Sequence, residues 1–250
     1  MRSPGVHFFL SPPTTLRMQN STWKMIYLAR RNPQLAAADF AQAWREHSAL
    51  GRQCVNVQER VRGVTQCVRI FDGTWPEDAS VDYDGVNLLL LRDRSSADAI
   101  WTDKETLAIM RPDEPRVFDR YVREFTLVAR QQVLLQHACP QGNVGSAVLV
   151  AFVRRAAAMA CEEFQRTLSQ ALLAPAWQHV RCVTVNWVEP ERPAGYDFDA
   201  IVEWWFADAD TMAAQLAGTA LHSQLPAEWA QACERSATVW MPTQVSHRRP

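Results

Sequence analysis

The sequence predicts an α+β fold made of two ferredoxin-like halves, each with its elements in the order βαββαβ. The first observation is a loose internal repeat: the apolar run of residues 23–31 returns 124 positions later as residues 147–155, and a pair of arginines closes both runs. The second is that the same succession of helix, two strands, helix and strand follows each run. A ferredoxin-like half leaves one sheet face uncovered, so we expect the halves to cover each other.

The elements of the two halves correspond in order. In each half the first helix contains an acidic residue followed by phenylalanine, a Tyr-Asp pair precedes an apolar strand, short polar residues cap the second helix, and a β-type run closes the half. In the first half these segments are Asp39-Phe40, Tyr83-Asp84, residues 95–98 and residues 125–128, and in the second they are Glu163-Phe164, Tyr196-Asp197, residues 208–211 and residues 237–240. This correspondence predicts an intrachain pseudo-dimer.

The repeat divides the chain into two domains. We expect the first α+β domain to span residues 21–136 and to hold the active pocket, and the second, degenerate domain to span residues 146–250. Between them, residues 137–145 have the proline, glycine and asparagine content of a linker. Residues 1–20 look irregular and are expected to form a disordered tail.

The composition argues against several classes of protein. With 26 Lys and Arg against 27 Asp and Glu, the formal net charge is -1, so the chain has no overall positive field for nucleic acid. No run reaches the roughly 18 apolar residues of a membrane span. The six cysteines show no CxxC pair, which is typical of reduced thiols in a cytoplasmic protein.

The common signatures of metal and cofactor enzymes are missing from the sequence. It has no GxSxG, P-loop or GxGxxG motif and no HxxxH or HExxH pair. We therefore expect no metal site and no cofactor, and any chemistry has to come from ordinary side chains.

His47 is the candidate for a catalytic residue. Phe40, Trp44 and His47 follow one another at i, i+4 and i+7, so a helix places all three on the face that packs against the sheet. Near the helix C-terminus the dipole favours imidazolium whereas burial opposes it, and a histidine balanced in this way exchanges protons near neutral pH. The alternative is a core histidine bonded to a backbone carbonyl.

Asp84 stands beside a glycine at the start of an apolar run. An Asp-Gly pair is typical of a turn, and the functional alternative is a carboxylate that orients a histidine or a substrate hydroxyl. Arg30 and Arg31 close the first strand. We expect one of them to be solvated and the other to pair with a carboxylate such as Asp119 or Glu124.

The chain is rich in aromatic residues, with ten tryptophans and ten phenylalanines. Such side chains form the core by default, but a pocket for a small ligand is also largely apolar with a few polar groups. The candidates for substrate binding are Tyr27, Trp44, Trp101, Phe118 and Tyr121, together with Arg30.

The first half resembles the EthD domain, a family named for an ethyl tert-butyl ether degradation cluster. The resemblance covers about residues 23–135 and is carried by the Tyr-Leu-Ala-Arg-Arg-Asn-Pro run that begins at Tyr27, by Leu35, Asp39-Phe40, Trp44 and His47, and by the later blocks at residues 83–86 and 113–119. Ser48-Ala49-Leu50 replaces the family's His-x-Pro-Leu tail. The second half matches in outline only, because Leu168 takes the place of Trp44 and Ala171 that of His47.

The resemblance implies the dimeric α+β barrel superfamily, formed here by two halves of one chain. Relatives there include cofactor-free cyclases, dehydratases, decarboxylases and monooxygenases, lactone isomerases and haem enzymes, and many EthD-type proteins have no assigned activity. Carried over to this sequence, the resemblance implies that His47 is the general acid/base and Asp84 its helper. It also implies that only the first half has a working pocket.

Two functions from different classes remain open. The first is a cofactor-independent lyase of the dehydratase, decarboxylase or cyclase type, acting on a hydrophobic aromatic or polyketide-like intermediate of catabolism or biosynthesis. The second is a non-catalytic accessory protein that binds a hydrophobic ligand in a degradation pathway. A third, weaker alternative is a structural pseudo-dimer with a filled pocket.

The polar groups around the pocket separate these alternatives. A titratable group within bonding reach of His47 favours the enzyme, whereas a cavity lined only by apolar residues favours the carrier. The partner is in either case a small hydrophobic or aromatic molecule. The oligomeric state is left open between a monomer, with the pseudo-dimer inside one chain, and a homodimer.

Overall fold

The computed structural model describes residues 22–73, 75–137, 142–173 and 177–250. The expected tail, residues 1–20, and residues 138–141 of the expected linker lie outside the described residues. The strands that the described residues form are β1 (Thr22–Ala29), β2 (Val61–Arg69), β3 (Gly85–Leu91), β4 (Thr126–Gln136), β5 (Ala147–Val153), β6 (Cys182–Val188), β7 (Ala200–Phe206) and β8 (Val239–Arg249).

Helices follow the first and third strands of each half, and the predicted βαββαβ order is confirmed in both halves. The helices are α1 (Ala37–Leu50), α2 (Val55–Arg60), α3 (Ser95–Thr102), α4 (Lys104–Ile109), α5 (Glu114–Val117), α6 (Cys161–Leu173), α7 (Ala209–Leu216) and α8 (Ala227–Ala232). No helix of the described ranges is long and apolar enough to cross a membrane.

All strands form one closed antiparallel barrel, in the order β1-β3-β2-β8-β5-β7-β6-β4. The first four strands of the chain and the last four each make one continuous half. The halves join where β2 pairs with β8 and where β4 pairs with β6. Each sheet thus covers the open face of the other, which confirms the expected intrachain barrel of two ferredoxin-like halves.

The two halves have the same strand register, which makes their positions comparable one by one. Ala29 pairs with Gly85 in the first half as Val153 pairs with Ala200 in the second. The neighbouring strand pairs agree as well, since Gln66 pairs with Asn87 in the first half as Val185 pairs with Val202 in the second. Any difference between matching positions is therefore a difference in side chains on one common backbone plan.

A buried ion pair crosses the barrel interior. Lys24 of β1 and Glu203 of β7 belong to opposite halves, and Lys24 Nζ lies 2.6 Å from Glu203 Oε1 with the side chains 9% and 1% exposed. Glu203 also accepts hydrogen bonds from Asn186 Nδ2 (2.8 Å) and Trp205 Nε1 (3.0 Å). Next to the pair is a cavity of about 520 Å³, which we call the barrel cavity.

The helical layers cover the outside of the barrel and form two further cores. In the first half, the Trp44 ring lies so close to β3 that a Cβ at Gly85 would stand 2.5 Å from Trp44 Cζ3. In the second half four tryptophans pack together between helices and sheet, with ring centroids 5.3–5.9 Å apart: Trp177, Trp204, Trp229 and Trp240. The first half has its own aromatic cluster, with ring centroids 5.1–6.3 Å apart, and a pocket beside it: the cluster consists of Phe40, Trp44, Phe118 and Phe125.

Candidate active site

A histidine–aspartate pair lies between α1 and the segment that precedes α5. His47, on the buried face of α1, is 5% exposed, as its spacing from Phe40 and Trp44 predicted. Its Nδ1 atom lies 3.0 Å from Oδ2 of Asp113, the last residue of the 3₁₀ turn Arg111–Asp113. The partner of His47 is thus a carboxylate and not the backbone carbonyl of the alternative hypothesis.

Arg116 fixes the carboxylate of Asp113 from the other side. Arg116 Nε donates to Asp113 Oδ1 at 2.7 Å and Arg116 Nη2 to Asp113 Oδ2 at 3.1 Å. Burial acts to raise the pKa of Asp113, but the hydrogen bonds from Arg116 and His47 outweigh it and hold that pKa below its usual value. Asp113 is therefore ionised near neutral pH, and its orientation toward His47 is set.

This arrangement makes His47 a neutral base. Burial lowers its pKa from the ordinary value of 6.5, and the hydrogen bond to Asp113 only partly opposes this. Burial thus outweighs the dipole effect that the helix C-terminus was expected to exert. Because the Asp113 carboxylate accepts a hydrogen bond from the Nδ1–H group, the lone pair of the imidazole lies on Nε2.

His47 lines a small, partly open space between the helices and the sheet of the first half, which we call the helix–sheet pocket. Its volume is about 50 Å³, enough for a few water molecules. The lining residues are Tyr27, Trp44, His47, Ser48, Val57, Val61, Val64, Gln66, Asn87, Leu89, Ile100, Trp101, Thr106, Met110, Glu114, Val122 and Arg249. A larger ligand requires the helical layer to move outward.

A row of polar side chains forms the floor of this pocket. Tyr27, Asn87 and Gln66 are direct neighbours across β1, β3 and β2. Gln66 Nε2 donates to the Trp44 carbonyl at 3.2 Å, but Gln66 Oε1 and Asn87 Oδ1 are buried without any hydrogen-bond partner. An unsatisfied buried acceptor destabilises a protein by about 1–3 kcal/mol, so this row is suited to a ligand that donates hydrogen bonds.

Two acidic groups of the pocket keep their protons more strongly than usual. Burial raises the pKa of Glu114, although its carboxylate accepts a hydrogen bond from the Val122 amide at 2.9 Å. Burial and the nearby Glu114 also raise the pKa of the Tyr27 hydroxyl. Tyr27 is therefore a neutral hydrogen-bond donor.

The structure brings together four of the predicted site residues and separates the others. Tyr27, Trp44, His47 and Trp101 all line the helix–sheet pocket. Phe118 lies behind it as part of the aromatic core, with its ring centroid 5.6 Å from that of His47.

The two remaining predicted substrate-binding residues face elsewhere. The Arg30 guanidinium stacks on the Tyr83 ring at 4.4 Å, and its Nε donates to the Asp82 carbonyl at 2.8 Å. Tyr121 is 38% exposed and lies under the Arg111 guanidinium, 4.0 Å from its ring centroid. Both side chains are occupied by these contacts outside the pocket.

Asp84 has a different partner from the one that the sequence suggested. It accepts hydrogen bonds from the backbone amide of Arg31 at 2.9 Å and from Arg31 Nη1, and Arg69 lies 3.9 Å away. The carboxylate on His47 is Asp113 instead. The expected partner of the paired arginine, Asp119 or Glu124, is likewise corrected to Asp84.

The second half has apolar residues at the positions that carry the polar groups of the pocket. Strand pairing and helix position match Tyr27, His47, Gln66 and Asn87 with Ala151, Ala171, Val185 and Val202. Trp204 stands where Leu89 lines the pocket of the first half. The same fold therefore forms without these polar groups.

Sequence reasoning missed Asp113, Glu114, Gln66 and Asn87. The first two lie in the block at residues 113–119 that carries the EthD resemblance. Gln66 and Asn87 had a weaker signal, a polar amide within an otherwise apolar strand. Within the described residues no group of three or more His, Cys, Asp or Glu side chains could hold a metal ion.

No model of a protein family matches the chain, and no curated protein matches it. Among solved structures, the chain is similar to an anthrone oxidase-like protein, with a TM-score of 0.63, 11% identity, and coverage of 93% of this chain and 94% of that one. A proposed monooxygenase from Fusobacterium nucleatum gives a TM-score of 0.59 at 8% identity, covering 93% and 95%.

A third similar structure, a proposed monooxygenase from Lactobacillus acidophilus, gives a TM-score of 0.51 at 7% identity, covering 92% of this chain and 96% of that one. At such low identity these likenesses show the fold alone. Because each likeness covers at least 92% of both chains, the shared fold is the whole barrel and not one half of it.

Proposed function

We propose that the protein is a cofactor-independent enzyme in which His47 removes a proton from a carbon next to a carbonyl group. The substrate class is a hydrophobic aromatic or polyketide-like ketone. The step suits a lyase of the dehydratase or cyclase type. An oxidation of the kind named for the similar structures starts from the same carbanion, with molecular oxygen as electron acceptor, and is the second candidate because of those names.

The observation that carries this proposal is the asymmetry between the halves. One half buries a histidine–aspartate pair above a polar row with unpartnered oxygens, and the other fills the same space with apolar side chains. Because buried polar groups without partners destabilise a fold, the position of two such oxygens in the pocket that His47 lines favours a role in ligand chemistry.

The residues divide the work of proton transfer in the proposed mechanism. His47 Nε2 accepts the proton from the substrate carbon, and Asp113 stabilises the imidazolium that forms. The protonated Tyr27 hydroxyl donates a hydrogen bond to the developing enolate oxygen, in a largely apolar site. The orphaned oxygens of Gln66 and Asn87 accept hydrogen bonds from substrate hydroxyl groups.

The alternative of a non-catalytic carrier predicted a cavity with apolar lining alone. The carboxylate within bonding distance of His47 and the buried Glu114 support the enzyme instead. In this proposal Asp113 takes the part that the resemblance gave to Asp84. Asp84 holds the end of β1 through Arg31.

The proposal is tested by hydrogen exchange at the acidic carbon of anthrone in D₂O, followed by NMR, with oxygen uptake measured in parallel. We expect the His47→Ala protein to lose about 10²–10⁴-fold in exchange rate, the range of positioned acid–base catalysis. His222 is a matched control, since its Nδ1 lies 2.7 Å from Asp78 Oδ2 outside the pocket. Unchanged exchange in His47→Ala, or equal losses in His222→Ala, would contradict the proposal.

A further inference from the structure

Arg249 brings a cation from the second half into the pocket of the first. It lies near the end of β8, opposite Val64 on β2. Its side chain lines both the helix–sheet pocket and the barrel cavity. The site that contains His47 is thus completed by the other half of the chain.

The Arg249 guanidinium has no counter-charge. Its Nε atom is buried without a hydrogen-bond partner, and it has no ion pair within the part of the chain that the structure describes. Burial and the nearby Arg52 lower the pKa of Arg249, and the Tyr27 hydroxyl opposes them only in part. Arginine nevertheless stays protonated, so a positive charge remains in a largely apolar space.

The protein backbone offers this charge little compensation. Arg249 Nη2 lies against the C-terminal end of α1, where a Cβ added to Gly51 would stand 3.3 Å from it. A helix C-terminus carries only about half a negative charge and is no substitute for a paired carboxylate. Arg249 is partly buried, and a cation that is partly removed from water without a partner destabilises a fold, so a ligand that neutralises it gains binding free energy.

The fold itself does not require an arginine at this position. Arg249 pairs with Val64 in the first half as Leu135 of β4 pairs with Val183 of β6 in the second. The matching residue is therefore a leucine. Like His47, Gln66 and Asn87, Arg249 is a polar residue whose counterpart in the other half is apolar. This shared difference favours a role for Arg249 in ligand binding.

We infer that the helix–sheet pocket takes an organic acid and that Arg249 binds its carboxylate. The planar guanidinium fork matches a carboxylate in two hydrogen bonds, and the positive charge of the nearby Arg52 adds to the attraction of an anion. This inference rests on the proposed function for the location of the site but not on the reaction. It restricts the substrate class to aromatic or polyketide-like acids whose body lies beneath His47.

The inference is tested by calorimetric titration with benzoate and with benzamide, a neutral molecule of the same shape. We expect benzoate to bind about tenfold more tightly or better, and Arg249→Leu to reduce this preference to about twofold. Arg62→Gln is the control, because Arg62 lines only the barrel cavity. Equal binding of acid and amide, or a preference that survives Arg249→Leu, would overturn the inference.

Two further variants locate the ligand and separate this inference from the reaction. Leu89→Trp introduces the residue that the second half has at this position, Trp204, and fills the helix–sheet pocket. We expect this variant to lose benzoate binding. Retained binding would place the ligand in the barrel cavity and contradict the inference. His47→Ala is expected to keep the preference for benzoate. Loss of exchange in His47→Ala, combined with no preference for benzoate in the parent protein, would leave the proposed reaction standing and reject the inference of an anionic ligand.

Without ligand, the Arg249→Leu protein should melt at a higher temperature than the parent protein. A lower melting temperature would indicate that Arg249 has a structural role and would contradict the inference.

Discussion

At the scale of single residues, the chemistry of the site depends on the charge of His47. Burial keeps the pKa of His47 below 6.5, so the imidazole is neutral, and thus a base, at neutral pH. Its hydrogen bond to Asp113 keeps Nε2 directed away from that carboxylate. A base of this kind is active above its pKa and is lost as the pH falls through it.

The pH dependence of proton removal follows from this charge. We expect kcat/KM for anthrone exchange to rise with pH through a single step centred below 6.5 and then to stay level through neutral pH. The measurement is a pH series of the NMR exchange assay on the parent protein. A step centred above 7 would show that another group is the base.

At the scale of elements, two matching N-caps separate stability from function. The Asp103 carboxylate accepts a hydrogen bond from the Thr106 amide at the start of α4, and Asp208 does the same for Thr211 at the start of α7, both at 2.8 Å. Each Asp→Ala change should lower the free energy of unfolding by about 1 kcal/mol. Only Asp103→Ala should reduce turnover, since Thr106 lines the pocket. Urea unfolding gives the stability of both variants, and their turnover is measured in parallel. Equal losses of turnover would contradict the assignment of the helix–sheet pocket as the active site.

A second element, β3, depends on a glycine for its contact with α1. A Cβ at Gly85 would lie 2.5 Å from Trp44 Cζ3 and 2.9 Å from the Cys67 carbonyl oxygen. Gly85→Ala should therefore destabilise the protein by about 1–3 kcal/mol, as overpacked cores do. Gly63→Ala is the control, because its nearest neighbour would be 3.7 Å away. Urea unfolding of both variants checks this, and similar midpoints would contradict the close contact.

At the scale of the whole molecule, the Lys24–Glu203 pair links the two halves through the barrel interior. Lys24→Met leaves the Glu203 carboxylate buried and without its cation, and should reduce the free energy of unfolding by about 3–5 kcal/mol. Adding Glu203→Gln should recover part of this loss, because the uncompensated charge is gone. Chemical denaturation measures both, and a loss below about 1 kcal/mol in the single variant would show that water already reaches the pair.

Much of the fold could be predicted because its signals are local. The repeat of residues 23–31 at 147–155 marks the first strand of each half, and the periodic runs mark the others. The pairings of β2 with β8 and of β4 with β6 could not be predicted in this way. They join residues far apart in the sequence, and no local pattern encodes them, so closure of the barrel was inferred from the uncovered sheet faces and the resemblance.

The site was predictable only where it lies on a periodic element. His47 and Trp44 follow the helical period, and both line the pocket. Asp113 comes from an irregular turn that only the folded chain brings to His47. Gln66 becomes a site residue through the pairing of β2 with β3, and Arg249 through the pairing of β2 with β8 across the two halves. The sequence displays neither register.

The most direct test of the central claim is an NMR titration of the protein with ¹⁵N-labelled histidine, with and without benzoate. We predict that His47 is neutral at pH 7 with its proton on Nδ1, titrates below 6.5, and shifts on benzoate binding while His222 does not. A His47 that is protonated at pH 7, or that benzoate leaves unchanged, would contradict the assignment of the helix–sheet pocket as the active site.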